Sequence, residues 1–359
     1  MKKKFLTLLF MLVISACTFG GCTFSIFPKP VPTNTFTTPI TVAPNSTATE
    51  IVEASIDAVV TIFITNRRTG EEVSFGSGVA VASGGYIATN YHVISTAAST
   101  ANYKIEVYHN KSETAHNASL LWYNVNLDCA IIKCECINLP YVQMADRFIE
   151  TESKLKPLEQ VIAIGTPVDF SLQNTSTLGY VSSTQGRISY SDGVVYENLI
   201  QHTAPINHGN SGGPLFDMTG KLIGLNTLGN DEANSLFFAV PIYPVMLVID
   251  KVVAGDQTSN KWQTPVVGIS AVDRYQSEYS SYYFEGKGMK VTDITENSAS
   301  VGKFKVDDII EAVKIGDTTY TIDIRNDMLI PLLKANKGDT VTFTIIRGIV
   351  RQTIDITLG

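Results

Sequence analysis

Charge is scarce in this chain. Asp, Glu, Lys and Arg together make up 17% of its 359 residues, and the acidic excess leaves a net charge of -7. No basic face is available to neutralise phosphates, which excludes nucleic acid as a partner. Cysteine is also sparse: there are five, an odd count, and Cys17 and Cys22 fall near the start. Of the other three, Cys129, Cys134 and Cys136, the last two lie two apart in an expected strand. Their side chains then share a face, a poor geometry for bonding each other. No disulfide framework is expected, and all three read as small buried hydrophobes. Further ligands do not cluster around the Cys-x-Cys pair, so neither a metal nor an organic cofactor is expected.

A long uncharged stretch lies near the N-terminus. Lys2, Lys3 and Lys4 precede an apolar run from Phe5 to Ile14, and the small residues Ser15 and Ala16 lead into Cys17. That is the layout of a secretory signal. Ile14-Ser15-Ala16-Cys17 also resembles the bacterial lipobox, in which the signal is cut before a cysteine that carries a diacylglyceryl group. Because no charge appears from Phe5 to Phe27, an uncleaved stretch spanning ~30 Å of hydrocarbon is an alternative; a freely secreted body is a third. All three put the body outside the cytosol. Residues 1–16 are thus the expected leader, and 17–49, rich in Pro and Thr from residue 28, an extended tether.

The remaining length suits two domains. From Ile51 onward short β-branched runs alternate with Gly, Asn and Ser turns: residues 59–65, 77–82, 86–90, 104–109 and 130–137, then 161–165, 194–202, 221–227 and 237–242. Such spacing predicts a mainly β body, sandwich or barrel. His109 and His116 fall in a polar segment read as a surface loop. A helical stretch at 243–255 with Gly255 as its stop closes a domain over 50–255. Residues 256–262 read as a linker, and 263–359 as a smaller β-rich domain.

Chemistry concentrates in Asn207-His208-Gly209-Asn210-Ser211-Gly212-Gly213-Pro214-Leu215. Glycines on both sides let the backbone turn sharply and a substrate chain approach, with the Ser211 hydroxyl held at the tip as a nucleophile. The same turn can aim the N–H groups of Gly209 and Ser211 at one point, an oxyanion hole. A serine of ordinary acidity needs a base. His92, directly after the apolar strand 86–89, is favoured over His208, which would have to share the tight turn and is read as a substrate-loop or solvent-facing residue. The imidazole needs a carboxylate to set its tautomer, and Asp128, at the mouth of the strand beginning Cys129-Ala130-Ile131, is the candidate. The chain order His, Asp, Ser is that of the chymotrypsin arrangement. A lipase-type Gly-x-Ser-x-Gly elbow followed by Asp and then His is absent.

The segments FGSGVAVASGGYIATNYHVI, NLDCAIIKC, STLGYVSSTQGRI and IQHTAPINHGNSGGPLFDMTGKLIGLNT resemble the HtrA (DegP-like) trypsin-fold proteases, across roughly residues 51–359. The resemblance implies a chymotrypsin-like double β-barrel with His92, Asp128 and Ser211 in the cleft, oxyanion amides from Gly209 and Ser211, ATP-independent cleavage of unfolded proteins, and a trimer. Residues 263–359 resemble a PDZ domain. The resemblance implies that Val267, Gly268 and Ile269 capture the carboxylate of a peptide added to a sheet edge. Thr203 and His208 depart from the family pattern, and the segment from Asn66 to Glu72 is too short to reach a neighbouring active site. Pro205 stands six residues before Ser211, where trypsin-like enzymes that cut after Lys or Arg carry Asp, so a small or medium apolar residue is expected before the scissile bond. A gate is expected in loops around 177–190 and 224–235.

Overall fold

The computed structural model describes residues 38–359, apart from 110–113, 137–138, 146, 148–153, 168–169, 190–194, 228–235, 259–261 and 279–280. The expected leader, Cys17 and the tether through residue 37 lie outside the described residues. Among the described residues no helix is long and apolar enough to cross a membrane.

The last part of the expected tether is held on the body. Ile40 N–H donates to Tyr141 O at 2.7 Å, and helix α1, Ala48–Ser55, begins two residues before the expected domain edge. Thr47 caps it, its hydroxyl accepting from Glu50 N–H while Glu50 reaches back to Thr47 N–H, a capping box.

Six strands then close a barrel: β1 Val59–Asn66, β2 Glu72–Ala82, β3 Tyr86–Thr89, β4 Tyr103–His109, β5 His116–Asn124 and β6 Cys129–Cys134, in the order β1-β2-β3-β6-β5-β4. Helix α2, Tyr91–Ser99, follows β3. A second barrel repeats the design with β7 Gln160–Gly165, β8 Thr175–Ser189, β9 Val195–His202, β10 Pro214–Asp217, β11 Leu222–Thr227 and β12 Phe237–Pro241. Its cyclic order, β10-β11-β12-β9-β8-β7, is that of the first barrel once its strands are renumbered from one. Closure leaves no strand edge bare. The barrels meet through buried polar contacts: the hydroxyls of Thr61 (β1) and Thr166 lie 2.7 Å apart, and Gln173 Nε2 donates to Thr61.

Helix α3, Tyr243–Gln257, runs past Gly255, so the expected linker starts inside it; the Thr258 hydroxyl donates to Ala254 O and extends its last turn. A third sheet follows, with β13 Ile269–Glu278, β14 Ser281–Ile294, β15 Ile309–Ile315, β16 Thr318–Thr321, β17 Thr340–Arg347 and β18 Val350–Thr357. Helix α4, Arg325–Leu332, packs on it. The order is β13-β14-β15-β17-β18, with β16 on β15, so β13 is an edge strand. Met289, Val291, Phe304, Ile310, Phe343 and Ile356 form its separate core. The whole is mainly β: a chymotrypsin-like pair of barrels, then a sheet consistent with a PDZ domain.

Three expectations are corrected. His116 opens strand β5 instead of a loop. This is a barrel strand paired to β4 and β6, with Asn117 and Ser119 exposed and Trp122 buried. Residues 177–189 form most of β8 and are not a loop. Three register shifts against β9 absorb the Gly and Ser positions, and Gly179 has room only for hydrogen against Ala204. Cys134 and Cys136 are joined as a disulfide. The strand stops at Cys134, so the alternation that would hold the side chains parallel no longer applies; the Cα atoms draw to 5.1 Å, against ~6.6 Å across two residues of a strand. Cys129 remains a buried free thiol, pushed up by burial first and then by Asp128.

Candidate active site

Asp128 lies just before β6 with φ of 47°, a left-handed backbone that Asp tolerates better than most residues. The turn is pinned on each side. Leu127 N–H donates to Asn124 Oδ1, and Asn90 Nδ2 donates to Asp128 O at 3.0 Å. The carboxylate is fully buried. Oδ1 accepts from His92 N–H at 3.0 Å, and Oδ2 lies 2.9 Å from His92 Nδ1. Asn90, at the N-cap of α2, makes no side-chain cap. Asp128 therefore both caps α2 from just before β6, the strand paired to β3, and orients the ring on the first turn of α2. Burial pulls the imidazolium down, but the Asp128 charge and hydrogen bond outweigh it and hold His92 above its ordinary value. The ring stays partly open, its side chain 33% exposed.

The second barrel supplies Ser211. Gly209 and Gly212 take φ of 95° and 82°, as the sharp turn requires. A Cβ on Gly212 would run into Ser77 O and the Thr89 hydroxyl. Gly213 N–H donates to Asn210 O, Asn210 N–H to Asn207 O and Gly212 N–H to Asn226 O. Among the described residues, the N–H groups of Gly209 and Ser211 donate to no carbonyl. Ser77 N–H donates to Ser211 O at 2.8 Å, and the Ser74 hydroxyl to Val93 O, so β2 lies under both the serine turn and α2. The Thr227 hydroxyl reaches Asp128 Oδ2 at 3.5 Å from the second barrel. No hydrogen bond of the described residues joins Ser211 to His92; such contacts commonly tighten only with substrate bound. His208 is exposed.

Sequence reasoning missed Ser77, Thr89, Asn90, Asn226 and Thr227. Ser77 stands in the FGSG segment, and its burial is the signal that only the structure gives.

At the third sheet, Val267 O accepts from the Ser300 hydroxyl at 2.6 Å, and Gly268 O from Thr295 N–H at 3.0 Å. Gly268 has φ of 83°, and a Cβ there would strike Ser298. The carbonyls of this loop are thus tied back, and Ile269 starts the edge strand β13. Cys17 lies outside the described residues. Among those residues no cluster of three or more His, Cys, Asp or Glu is arranged to hold a metal ion.

A cavity of about 560 Å³ lies between the second barrel and α4, lined by Leu127, Tyr196, Glu197, Tyr243, Ile330 and Lys334 among others. Beside it Glu197 of β9 is pushed up to about 7, by burial first and then by Asp273 of β13, against the pull of Arg187 and Arg325.

A trypsin-like peptidase domain is matched over residues 76–225. The chain is 32% identical over 293 residues to a probable periplasmic serine endoprotease, DegP-like, of Bartonella henselae, covering 80% of this chain and 53% of that protein. It is 30% identical over 361 residues to the serine protease Do-like HtrB of Bacillus subtilis, covering 92% and 74%. The chain spans little more than half the length of the DegP-like relatives. Among solved structures, the HtrA-type protease AlgW with tripeptide gives a TM-score of 0.62 at 23% identity, covering 88% of this chain and 97% of that one. The serine endoprotease from Yersinia pestis gives 0.59 at 24%, covering 88% and 98%. At those identities the likeness is one of fold.

Proposed function

Because the chain belongs to the family of trypsin-like serine proteases that includes the DegP-like and HtrA proteins, we propose that it is an extracytoplasmic serine endopeptidase acting on exposed segments of unfolded or misfolded proteins. Ser211 Oγ attacks the scissile carbonyl while His92 Nε2 takes its proton, and Asp128 stabilises the imidazolium that results. The amides of Gly209 and Ser211 receive the oxyanion. His92 then protonates the leaving amine, and water, activated by the same ring, releases the acyl group from Ser211. The observation that carries this reading is the pair of bonds from one buried carboxylate to the His92 amide and ring, facing a serine turn whose two candidate amides point at no carbonyl.

Pro205, its carbonyl accepting from the Thr177 hydroxyl at 2.9 Å, brings no carboxylate to the substrate side. The residue before the cut is accordingly small or medium and apolar. The edge strand β13 and the tied-back carbonyls of Val267 and Gly268 favour capture of a peptide with a free C-terminal carboxylate by the amides of Val267, Gly268 and Ile269. The periplasmic naming of relatives supports a site outside the cytosol. The body is held at the membrane by a lipid on Cys17 or by the uncleaved leader, and a trimer is the assembly proposed.

A serine-reactive phosphonate should label Ser211 and stop digestion of unfolded casein. The Ser211→Ala chain should fold and do neither. Casein cleavage by that variant at the native rate would overturn the assignment, and cut sites mainly after Lys or Arg would overturn the apolar specificity.

A further inference from the structure

Two amides make the oxyanion site, and the turn fixes them unequally. Ser211 N–H belongs to the Asn210–Ser211 peptide, whose carbonyl is held by Gly213 N–H inside the turn itself. Gly209 N–H belongs to the His208–Gly209 peptide, whose carbonyl is bonded to nothing among the described residues. The orientation of that amide depends on how Gly209 is held from its other side.

That hold comes from the first barrel. The Ser77 hydroxyl donates to Gly209 O at 2.7 Å and accepts from Thr166 N–H at 3.0 Å. Ser77 is fully buried, and its backbone is fixed in turn: N–H to Ser211 O, and O accepting from the Thr89 hydroxyl at 2.7 Å. Its strand partner Thr61 meets Thr166 across the barrel junction. With Ser77 on Gly209 O and Asn207 O on Asn210 N–H, both polar ends of the Gly209–Asn210 peptide are clamped. Only the ψ and φ of Gly209 itself then lie between that plane and its N–H. A Cβ on Gly209 would run into Thr166 O and the Phe75 ring, so the same pocket also limits those rotations.

We propose that Ser77 is a positioning residue that holds the Gly209 amide in the oxyanion-binding orientation. Its hydroxyl touches neither substrate nor the reacting atoms, and acts on the oxyanion site through Gly209 O. Without its hydroxyl, Gly209 O and Thr166 N–H lose their shared partner in a buried site, and the Gly209–Asn210 plane is free to turn toward another donor. One of two oxyanion donors is then lost from nearly all molecules, while His92 and Asp128 are untouched.

The inference rests on the roles given above to Ser211 and Gly209, and one series of measurements separates the two. Ser77→Ala and Ser77→Cys, the second keeping a weaker donor of similar size, are compared with the native chain on a short apolar amide substrate. The expected result is a kcat lowered about 10²-fold in Ser77→Ala, the scale of losing an oxyanion donor, and less in Ser77→Cys. KM and the pH midpoint should be unchanged. A peptide aldehyde, whose hemiacetal oxygen occupies the oxyanion site, should bind more weakly by the same factors. Native kcat in Ser77→Ala, or a loss accompanied by a shifted pH midpoint or raised KM, would overturn the proposal. Should Ser77→Ala fail to fold by thermal unfolding, the same criteria are read from Ser77→Cys. If the native chain itself does not react with phosphonate at Ser211, the peptidase reading fails instead.

Discussion

Replacing Asp128 by Asn tests the site through one atom. Asn accepts the left-handed backbone at this position as readily as Asp, and its amide still offers one oxygen. The geometry decides where that oxygen goes. His92 N–H must donate at 3.0 Å to the Oδ1 position, so the new NH₂ occupies the Oδ2 position, facing His92 Nδ1. There it donates to the ring. The favoured tautomer then carries its proton on Nε2, where it cannot accept one from Ser211. In the chymotrypsin template this mis-set tautomer lowers kcat by about 10⁴, a barrier rise of about 5.5 kcal/mol. The charge that offsets burial is lost as well, so the His92 value should fall from above its ordinary value of ~6.5 to below it. Native activity should rise with pH through a midpoint above ~6.5, because the ring must be neutral to accept a proton. In Asp128→Asn the residual activity should show a midpoint moved to lower pH. The assay is kcat on an amide reporter from pH 5 to 9, with thermal unfolding to confirm the fold. Activity within ten-fold of native at pH 7.5, or an unmoved midpoint, would refute the reasoning.

Other residues give independent tests. Glu197 keeps its proton in the fold up to about 7, so the stability it contributes is greatest below the ordinary carboxylate value and declines as pH rises toward 7. Glu197→Gln should remove that slope, raising stability at pH 8 by on the order of 2 kcal/mol and at pH 4 by little, as read by chemical unfolding; an equal effect at both would contradict the buried-carboxyl account. Lys251 Nζ donates to Leu333, Lys334 and Ala335 O, each at 3.0 Å, at the C-terminal end of α4. Lys251→Met should speed amide exchange over residues 325–335 and cost roughly 1–3 kcal/mol, and unaltered exchange would show the clamp to be inert. Gly268→Val should abolish any stimulation of reporter cleavage by peptides ending in an apolar residue with a free carboxylate, expected to be several-fold, while leaving the basal rate. Unchanged stimulation would place the peptide elsewhere.

The triad candidates were legible because each stands at a strand or turn boundary that composition marks: glycines around Ser211, an apolar strand before His92, a polar turn before Cys129. Short β-branched runs at even spacing pointed to a mainly β body, sandwich or barrel, and the double barrel was implied by the resemblance to HtrA proteases. What escaped was decided by tertiary partners. Residues 175–189 carry the Gly and Ser of a loop, yet pair along β7 and β9, whose backbones supply what the side chains do not. Helix α2 escaped because its cap is Asp128, from a distant part of the chain, instead of the Asn90 beside it. Cys134 and Cys136 were judged as strand residues, but β6 ends between them. Ser77 is one serine among many until Gly209 and Thr166 are brought to it from the other barrel.

The division of the site between the two barrels has a consequence for how the molecule is made. His92 and Asp128 belong to the first barrel and Ser211 to the second, each closed by its own six strands. A chain emerging from its N-terminus can complete the first barrel and assemble a base and its carboxylate with no nucleophile to serve. The hydroxyl arrives with the turn before β10, the second barrel closes only when β12 pairs with β11 and β9, and the turn is set only when it meets β2. On the proposed assignment, chains that end before the second barrel closes are therefore chemically silent.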